Sequence, residues 1–256
     1  MRTTETEKNS WMPFSNIQPD TKLILFCFHY AGGNAGMYKD WLKQLPAQVA
    51  VCPIQLPGRS TRFHEPPYHE LHALIPDIAE AIRPLLDRPF VFMGHSMGAL
   101  ISFELARYVR KLYALEPVHL LMAGFHAPHM PDPGPIIHHL PDPEFMAELT
   151  KLNGTPKELI EHAELMELML PMLKADFTLA EQYVYQQGEP FTCPITAFGG
   201  WQDPDISVKE IQGWKEQTTG AFRAYMLEGD HFFIHSQEKD VLRIIRAILE
   251  DLLRKY

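Results

Sequence analysis

Apolar residues gather into six short runs rich in β-branched and aromatic side chains: Leu23–Phe28, Val49–Ile54, Phe90–Met93, His119–Ala123, Ile195–Phe198 and Phe222–Leu227. Several are apolar at consecutive positions rather than at alternate ones, as strands buried on both faces of a parallel sheet are. Between the runs lie stretches that suit helices: Met37–Leu45, Leu71–Leu86, Met97–Leu112, Val208–Gln217 and Gln237–Lys255. In the last of these, Val241, Leu242, Ile245, Ile248, Leu249 and Leu252 recur at helical spacing with charges between them, so one face is apolar. Strand and helix alternate, which predicts an α/β architecture with a mostly parallel, doubly wound sheet.

The alternation fails once. Six prolines between Pro128 and Pro143 are followed by helix-compatible sequence through Tyr185 with no convincing strand. A segment of this length between two core strands predicts a helical lid insertion over residues 129–188. The core then comprises residues 21–128 and 189–256, preceded by a polar N-terminal extension at 1–20.

Composition narrows the function classes. Apolar residues at 46% and charged residues at 21% are ordinary for a globular chain, which argues against disorder. With 23 basic and 32 acidic residues the net charge is -9, so nucleic acid and anionic lipid are not expected partners. No run approaches the roughly 20 apolar residues of a membrane span, and the first residues lack the apolar core of a secretory signal. Cys27, Cys52 and Cys193 lie far apart without a CxxC pair, which predicts reduced packing residues and a cytoplasmic location. The group His126, His129, His138 and His139 lacks helical metal-ligand spacing, so neither metal nor cofactor is expected.

The sharpest chemical signal is Gly94-His95-Ser96-Met97-Gly98, a GxSxG segment directly after the run Phe90–Met93 and directly before a helical stretch. Strand, tight turn and helix form the context in which such a serine projects above a sheet as a nucleophile. A hydroxyl needs an adjacent imidazole to take its proton, and the imidazole needs a carboxylate to hold its tautomer. In the α/β-hydrolase fold these follow in the order Ser, Asp or Glu, His, each in a loop after a later strand. His231 stands after Phe222–Leu227 and the turn Glu228-Gly229-Asp230, where the base belongs; His29 and His95 come too early, and His235 falls at the start of the final helix. Asp203 follows Ile195–Phe198 as the first candidate acid, with Asp205 as the alternative. Asp176 lies in the insertion and Asp230 in the turn beside the base, so neither has the strand-end placement. Oxyanion donors are expected from the amide of Met97 and from the loop His29-Tyr30-Ala31-Gly32-Gly33-Asn34, through Ala31 or else Tyr30.

With these residues assembled, the chain resembles the type II thioesterases that accompany nonribosomal peptide and polyketide synthases. Four segments carry the likeness: Phe28-His29-Tyr30-Ala31-Gly32-Gly33, Leu56-Pro57-Gly58-Arg59, Gly94-His95-Ser96-Met97-Gly98-Ala99 and Gly229-Asp230-His231-Phe232-Phe233. It extends over nearly the whole chain from about Thr21. The resemblance implies a stand-alone, monomeric serine hydrolase that clears stalled or wrongly primed acyl groups from the phosphopantetheine arms of acyl- or peptidyl-carrier domains. It assigns Ser96 as nucleophile, Asp203 as acid and His231 as base. His29 is a departure, since many relatives carry proline there, and it leaves the loop donor open. A departing thiol, with a pKa of about 8.5, needs less proton donation than an alcohol, so the same triad suits a thioester.

Two features admit two readings each. Met130, Met146, Met166, Met169 and Met172, with neighbouring leucines and Phe177, suit either a surface for varied acyl chains or helix-packing core. Arg59 and Arg62 suit either contact with a pantetheine phosphate or acidic carrier surface, or a structural ion pair. At the level of function, the rivals are a general carboxylesterase or lipase, an acyltransferase of the same fold, and a noncatalytic binding protein on a hydrolase scaffold.

Overall fold

The computed structural model describes residues 9–152 and 162–256. Six strands form one sheet: β1 (Leu23–Phe28), β2 (Val49–Pro53), β3 (Phe90–His95), β4 (His119–Ala123), β5 (Ile195–Gly200) and β6 (Phe222–Leu227). Their order is β2-β1-β3-β4-β5-β6, and every pairing is parallel. Consecutive side chains of a strand face opposite ways, so a run that is apolar throughout fills two cores. Ile24, Phe26 and Phe28 of β1 pack on one face against the helices α2 (Leu71–Ile82) and α3 (Met97–Tyr113). Leu23, Leu25 and Cys27 pack on the other face against Val241, Ile245 and Leu249 of the C-terminal helix, which spans Glu238–Leu253.

Helix limits depart from the sequence expectation where local chemistry intervenes. The expected helix at Leu71–Leu86 is α-helical only to Ile82 and finishes as a 3₁₀ turn, Arg83–Leu85. Pro84 has no N–H to continue the ladder, and its ring crowds the carbonyl four residues back. The expected helix at Met37–Leu45 divides into a 3₁₀ turn at Ala35–Tyr38, capped by the Asn34 side chain, and a single turn, α1 (Trp41–Gln44). Between β4 and β5 the described residues form α4 (Asp142–Lys151) and α5 (Ala163–Glu181). These enclose a third apolar cluster of Ile137, Phe145, Leu149, Met166, Met172 and Leu173, separate from the two that flank the sheet. The remainder of the expected helical stretch, 153–161, lies outside the described residues. After β5 come α6 (Val208–Gly213), opened by a capping box between Ser207 and Glu210, the single turn α7 (Phe233–Ser236), and α8 (Glu238–Leu253).

The segment before β1 is more than a polar extension. Met12 is buried, and Asn16 Oδ1 accepts the N–H of Val51 at 2.7 Å. β2 is an edge strand, and its outward N–H groups are taken up: that of Val49 by the Pro46 carbonyl and that of Val51 by Asn16, while Pro53 has none.

The sheet places its site by topology. From β1 the chain builds outward to β2, then returns to β3 and builds the other way, so strand order reverses between β1 and β3. Loops at the carboxyl ends of strands on either side of such a reversal diverge and leave a crevice. Ser96 follows β3 and the His29–Gly33 loop follows β1, so both border it.

Candidate active site

Ser96 joins β3 to α3 with φ 55° and ψ -123°, a conformation that a residue with a side chain rarely adopts. The turn is this sharp because its glycines let backbones meet. A Cβ on Gly94 would lie 2.0 Å from the Gly98 carbonyl oxygen, and one on Gly98 would lie 2.1 Å from that of Phe28. The Ser96 N–H donates to the Ala123 carbonyl at 2.8 Å, pinning the turn to the end of β4. Its half-buried side chain opens into a cavity of about 440 Å³.

His231 and Asp203 meet from loops after β6 and β5. His231 Nδ1 lies 2.7 Å from Asp203 Oδ2, and the Asp203 side chain is wholly buried. Asp203 Oδ1 accepts the N–H groups of Asp205 at 3.0 Å and Ile206 at 3.1 Å, so the carboxylate is held by three donors. The loops approach this closely because Gly200, at the end of β5, has no Cβ: one would sit 2.4 Å from the Asp230 carbonyl oxygen. With the Nδ1 proton given to Asp203, Nε2 is the basic nitrogen. His231 lines the same cavity as Ser96. Among the described residues no hydrogen bond joins the two side chains.

Asp205, the alternative acid, also lines the cavity but accepts no hydrogen bond from His231. Burial first, then the charges of Asp203 and Asp132, raise its pKa. His95 is excluded as a base by its surroundings. It is fully buried, neither ring nitrogen has a hydrogen-bond partner, and desolvation followed by the neighbouring His231 and His235 holds its pKa well below 6.5. Its ring fills the space above Gly124, where a Cβ would come within 2.7 Å. His235 is tied to the Tyr30 hydroxyl at 3.0 Å.

Tyr30, Ala31 and Met97 all border the cavity. Met97 is the first residue of α3, so its N–H has no acceptor within the helix and is free to point outward. In the β1 loop, the Gly33 N–H closes a turn on the Tyr30 carbonyl at 2.9 Å, and Gly32 has φ 79°.

The structure resolves the two-sided features. Met166 and Met172 are buried in the third apolar cluster, and Met130 packs where a Cβ on Gly213 would fall. The wall of the cavity in this region comes instead from Ile137, Leu149, Leu152, Leu173 and Phe177. The methionines are therefore packing residues and not the cavity surface. Arg59 is 5% exposed and bonded through both terminal nitrogens to Asp176, at 2.5 and 2.7 Å. Arg62 pairs with Glu65 and stacks 4.0 Å from the Trp11 ring. Both arginines are thus engaged within the chain. Two of the four histidines are likewise engaged within the chain: His138 Nδ1 binds Glu181 at 2.6 Å, while His129 contacts Gln217 and Glu216. Sequence reasoning did not anticipate the Arg59–Asp176 pair, because its members are 117 positions apart and carry no common motif.

A family model described as "Thioesterase domain" matches residues 23–249. The chain belongs to the thioesterase family. This thioesterase is 52% identical over 259 residues to the Brevibacillus parabrevis protein named linear gramicidin dehydrogenase LgrE, covering 100% of this chain and 98% of that one. It is 44% identical to the gramicidin S biosynthesis protein GrsT of Aneurinibacillus migulanus, over 94% of each chain. Among solved structures it is similar to ClbQ from the colibactin nonribosomal peptide/polyketide pathway, with TM-score 0.87, 30% identity, and coverage of 92% of this chain and 100% of that one. It is also similar to the type II thioesterase BorB of the borrelidin cluster, with TM-score 0.82, 32% identity, and coverage of 91% and 96%. The fold of this thioesterase is that of the α/β-hydrolases, and its type is that of the type II thioesterases.

Proposed function

We propose that this thioesterase releases acyl groups from the phosphopantetheine thiols of carrier domains in nonribosomal peptide or polyketide synthesis, through an acyl group on Ser96. The observation that carries the reading is the 2.7 Å bond from His231 to the buried Asp203, on the wall of a cavity that also receives Ser96. Its relatives supply the carrier context, since GrsT is named for gramicidin S biosynthesis and ClbQ for a peptide/polyketide pathway.

In this mechanism His231 Nε2 takes the Ser96 hydroxyl proton as Oγ attacks the thioester carbonyl carbon. The negative charge on the carbonyl oxygen is met by the amides of Met97 and Ala31. The C–S bond breaks, and the thiol leaves with the proton from His231. Water then gives a proton to Nε2 and attacks the acyl-serine. Oγ leaves, recovers the proton, and a free acid departs. Asp203 keeps Nε2 unprotonated at the start and stabilises the imidazolium that forms. Helices α4 and α5 act as the lid, and Leu149, Leu152, Leu173 and Phe177 contact the acyl chain.

The test is hydrolysis of acetyl and longer acyl groups loaded on a carrier domain. Ser96→Ala and His231→Ala should be nearly inactive. Asp203→Asn should lower kcat by roughly 10⁴-fold, because the amide stabilises the wrong imidazole tautomer. Asp205→Asn should remain active. A wild-type rate for Asp203→Asn beside an inactive Asp205→Asn would reassign the acid.

A further inference from the structure

The Arg59–Asp176 pair stands beside the β1 loop rather than beside the triad. Asp176 lies on α5 and Arg59 in the loop after β2, with side chains 2% and 5% exposed. Replacing a buried ion pair by apolar residues of similar volume is often neutral or stabilising. A buried pair is therefore weak evidence of a stabilising role, and its remaining contacts indicate what this one does.

Two of those contacts fall on the segment around Ala31. Asp176 Oδ2 accepts the Gly32 N–H at 2.8 Å, in addition to binding Arg59. Arg59 Nη1 reaches the Gly33 carbonyl at 3.4 Å, while Arg59 Nε donates to its own loop at the Pro57 carbonyl. The Tyr30 carbonyl accepts from Gly33 N at 2.9 Å and from His29 Nδ1 at 2.9 Å. A peptide unit is planar and trans, so its C=O and N–H point in opposite directions. Holding the Tyr30 oxygen therefore aims the Ala31 N–H the other way. Holding the Gly32 N–H fixes the next peptide plane, and together they set the backbone on both sides of Ala31. Gly32 has φ 79°, and Leu173 Cδ2 lies 2.7 Å from where its Cβ would be, so α5 packs directly on the loop as well.

We propose that Asp176 and Arg59 are positioning residues that hold the β1 loop so that the Ala31 amide faces the oxyanion. The pair extends from α5, which also presents Leu173 and Phe177 to the cavity, and so joins the acyl-binding wall to the oxyanion donor. This proposal rests on the Ser96 mechanism above.

Three variants and two ligands test it. Substrates are acetyl-loaded carrier domain and the butyryl thioester of N-acetylcysteamine. The ligands are butylboronic acid, whose serine adduct is tetrahedral, and the non-hydrolysable butyl thioether of N-acetylcysteamine. Asp176→Asn should lower kcat by roughly tenfold to a hundredfold, as small misplacements of a catalytic group do, with KM within about twofold of wild type. Boronate affinity should fall in parallel while thioether affinity holds. The double variant Arg59→Met/Asp176→Leu should regain thermal stability and stay slow, because no acceptor remains for the Gly32 N–H. A double variant with wild-type kcat would reduce the pair to a packing role and overturn the proposal. So would an Asp176→Asn enzyme that loses stability but keeps its kcat and boronate affinity. Ser96→Ala measured alongside separates the two failures: an active Ser96→Ala enzyme removes the mechanism and this proposal with it, whereas an inactive one beside unimpaired Asp176 variants removes this proposal alone.

Discussion

Ser96 is held in a backbone conformation that residues with side chains rarely adopt, and the backbone bears the strain. A non-glycine residue in a sparsely populated region of φ and ψ costs about 1–3 kcal/mol. Ser96 adopts φ 55° and ψ -123°. Ser96→Gly should therefore unfold at a higher temperature than Ser96→Ala, which keeps the strain, by about 1 kcal/mol or roughly 2–4 °C. Calorimetry of the two inactive proteins measures the difference, and equal midpoints would show that the turn is unstrained. Chain order and strand-end placement narrow thirteen histidines to His231, which the structure brings to Asp203 and to the cavity that Ser96 lines. The acid was less legible in sequence. Asp203 and Asp205 share a loop, and only the direction of their side chains separates them. The 2.7 Å bond to His231 distinguishes Asp203.

Elements were legible where their periodicity came from burial. All six strands appear where runs of apolar residues predicted them. β1 to β5 are buried at every position, so no exposed position blurs the signal, whereas the edge strand β6 is only half-buried and carries the exposed Arg223. Helix ends were less legible, since Pro84 acts locally on the ladder while apolar spacing continues to Leu86. The elbow between β3 and α3 depends on close backbone approach, and here a strong effect is expected. Gly98→Ala would put a methyl 2.1 Å from the Phe28 carbonyl oxygen, a contact with backbone that no side-chain rotation relieves. Forcing atoms into a packed site costs about 1–3 kcal/mol or more, so a fall of at least several degrees in Tm should accompany loss of activity. A Gly98→Ala protein that melts like wild type would contradict this packing. The methionine-rich helix α5 was ambiguous for a related reason: spacing reveals that one face is buried, and not whether protein or substrate covers it.

At the scale of the molecule, buried neutral histidines make stability depend on pH. Burial, with help from Arg59, lowers the His29 pKa to about 4, and burial, with Arg223 and Lys255, does the same for His119. Between that value and the unfolded value of 6.5 the unfolded chain binds protons that the folded chain refuses, so stability falls as pH falls through this window. At pH 5 each of the two histidines should have withdrawn about 2 kcal/mol relative to pH 7 or above. His95, whose pKa burial also lowers, acts in the same direction. Denaturant unfolding at pH 7 and pH 5 measures the loss, and His119→Gln should lessen it while keeping a group able to bond Thr196. A stability unchanged across this range would mean that these imidazoles are protonated in the folded protein without penalty.

Local order along the chain was enough to establish the α/β class and to single out Ser96 and His231 as candidates, because hydrophobic period, glycine placement and strand-to-loop order are properties of neighbouring residues. It could not reveal that Asp176, passed over as an acid for lying in the insertion, meets Arg59 and Gly32 at the loop after β1. Contacts between residues more than a hundred positions apart are created when the strands assemble and the helices pack, and no short segment carries a record of them.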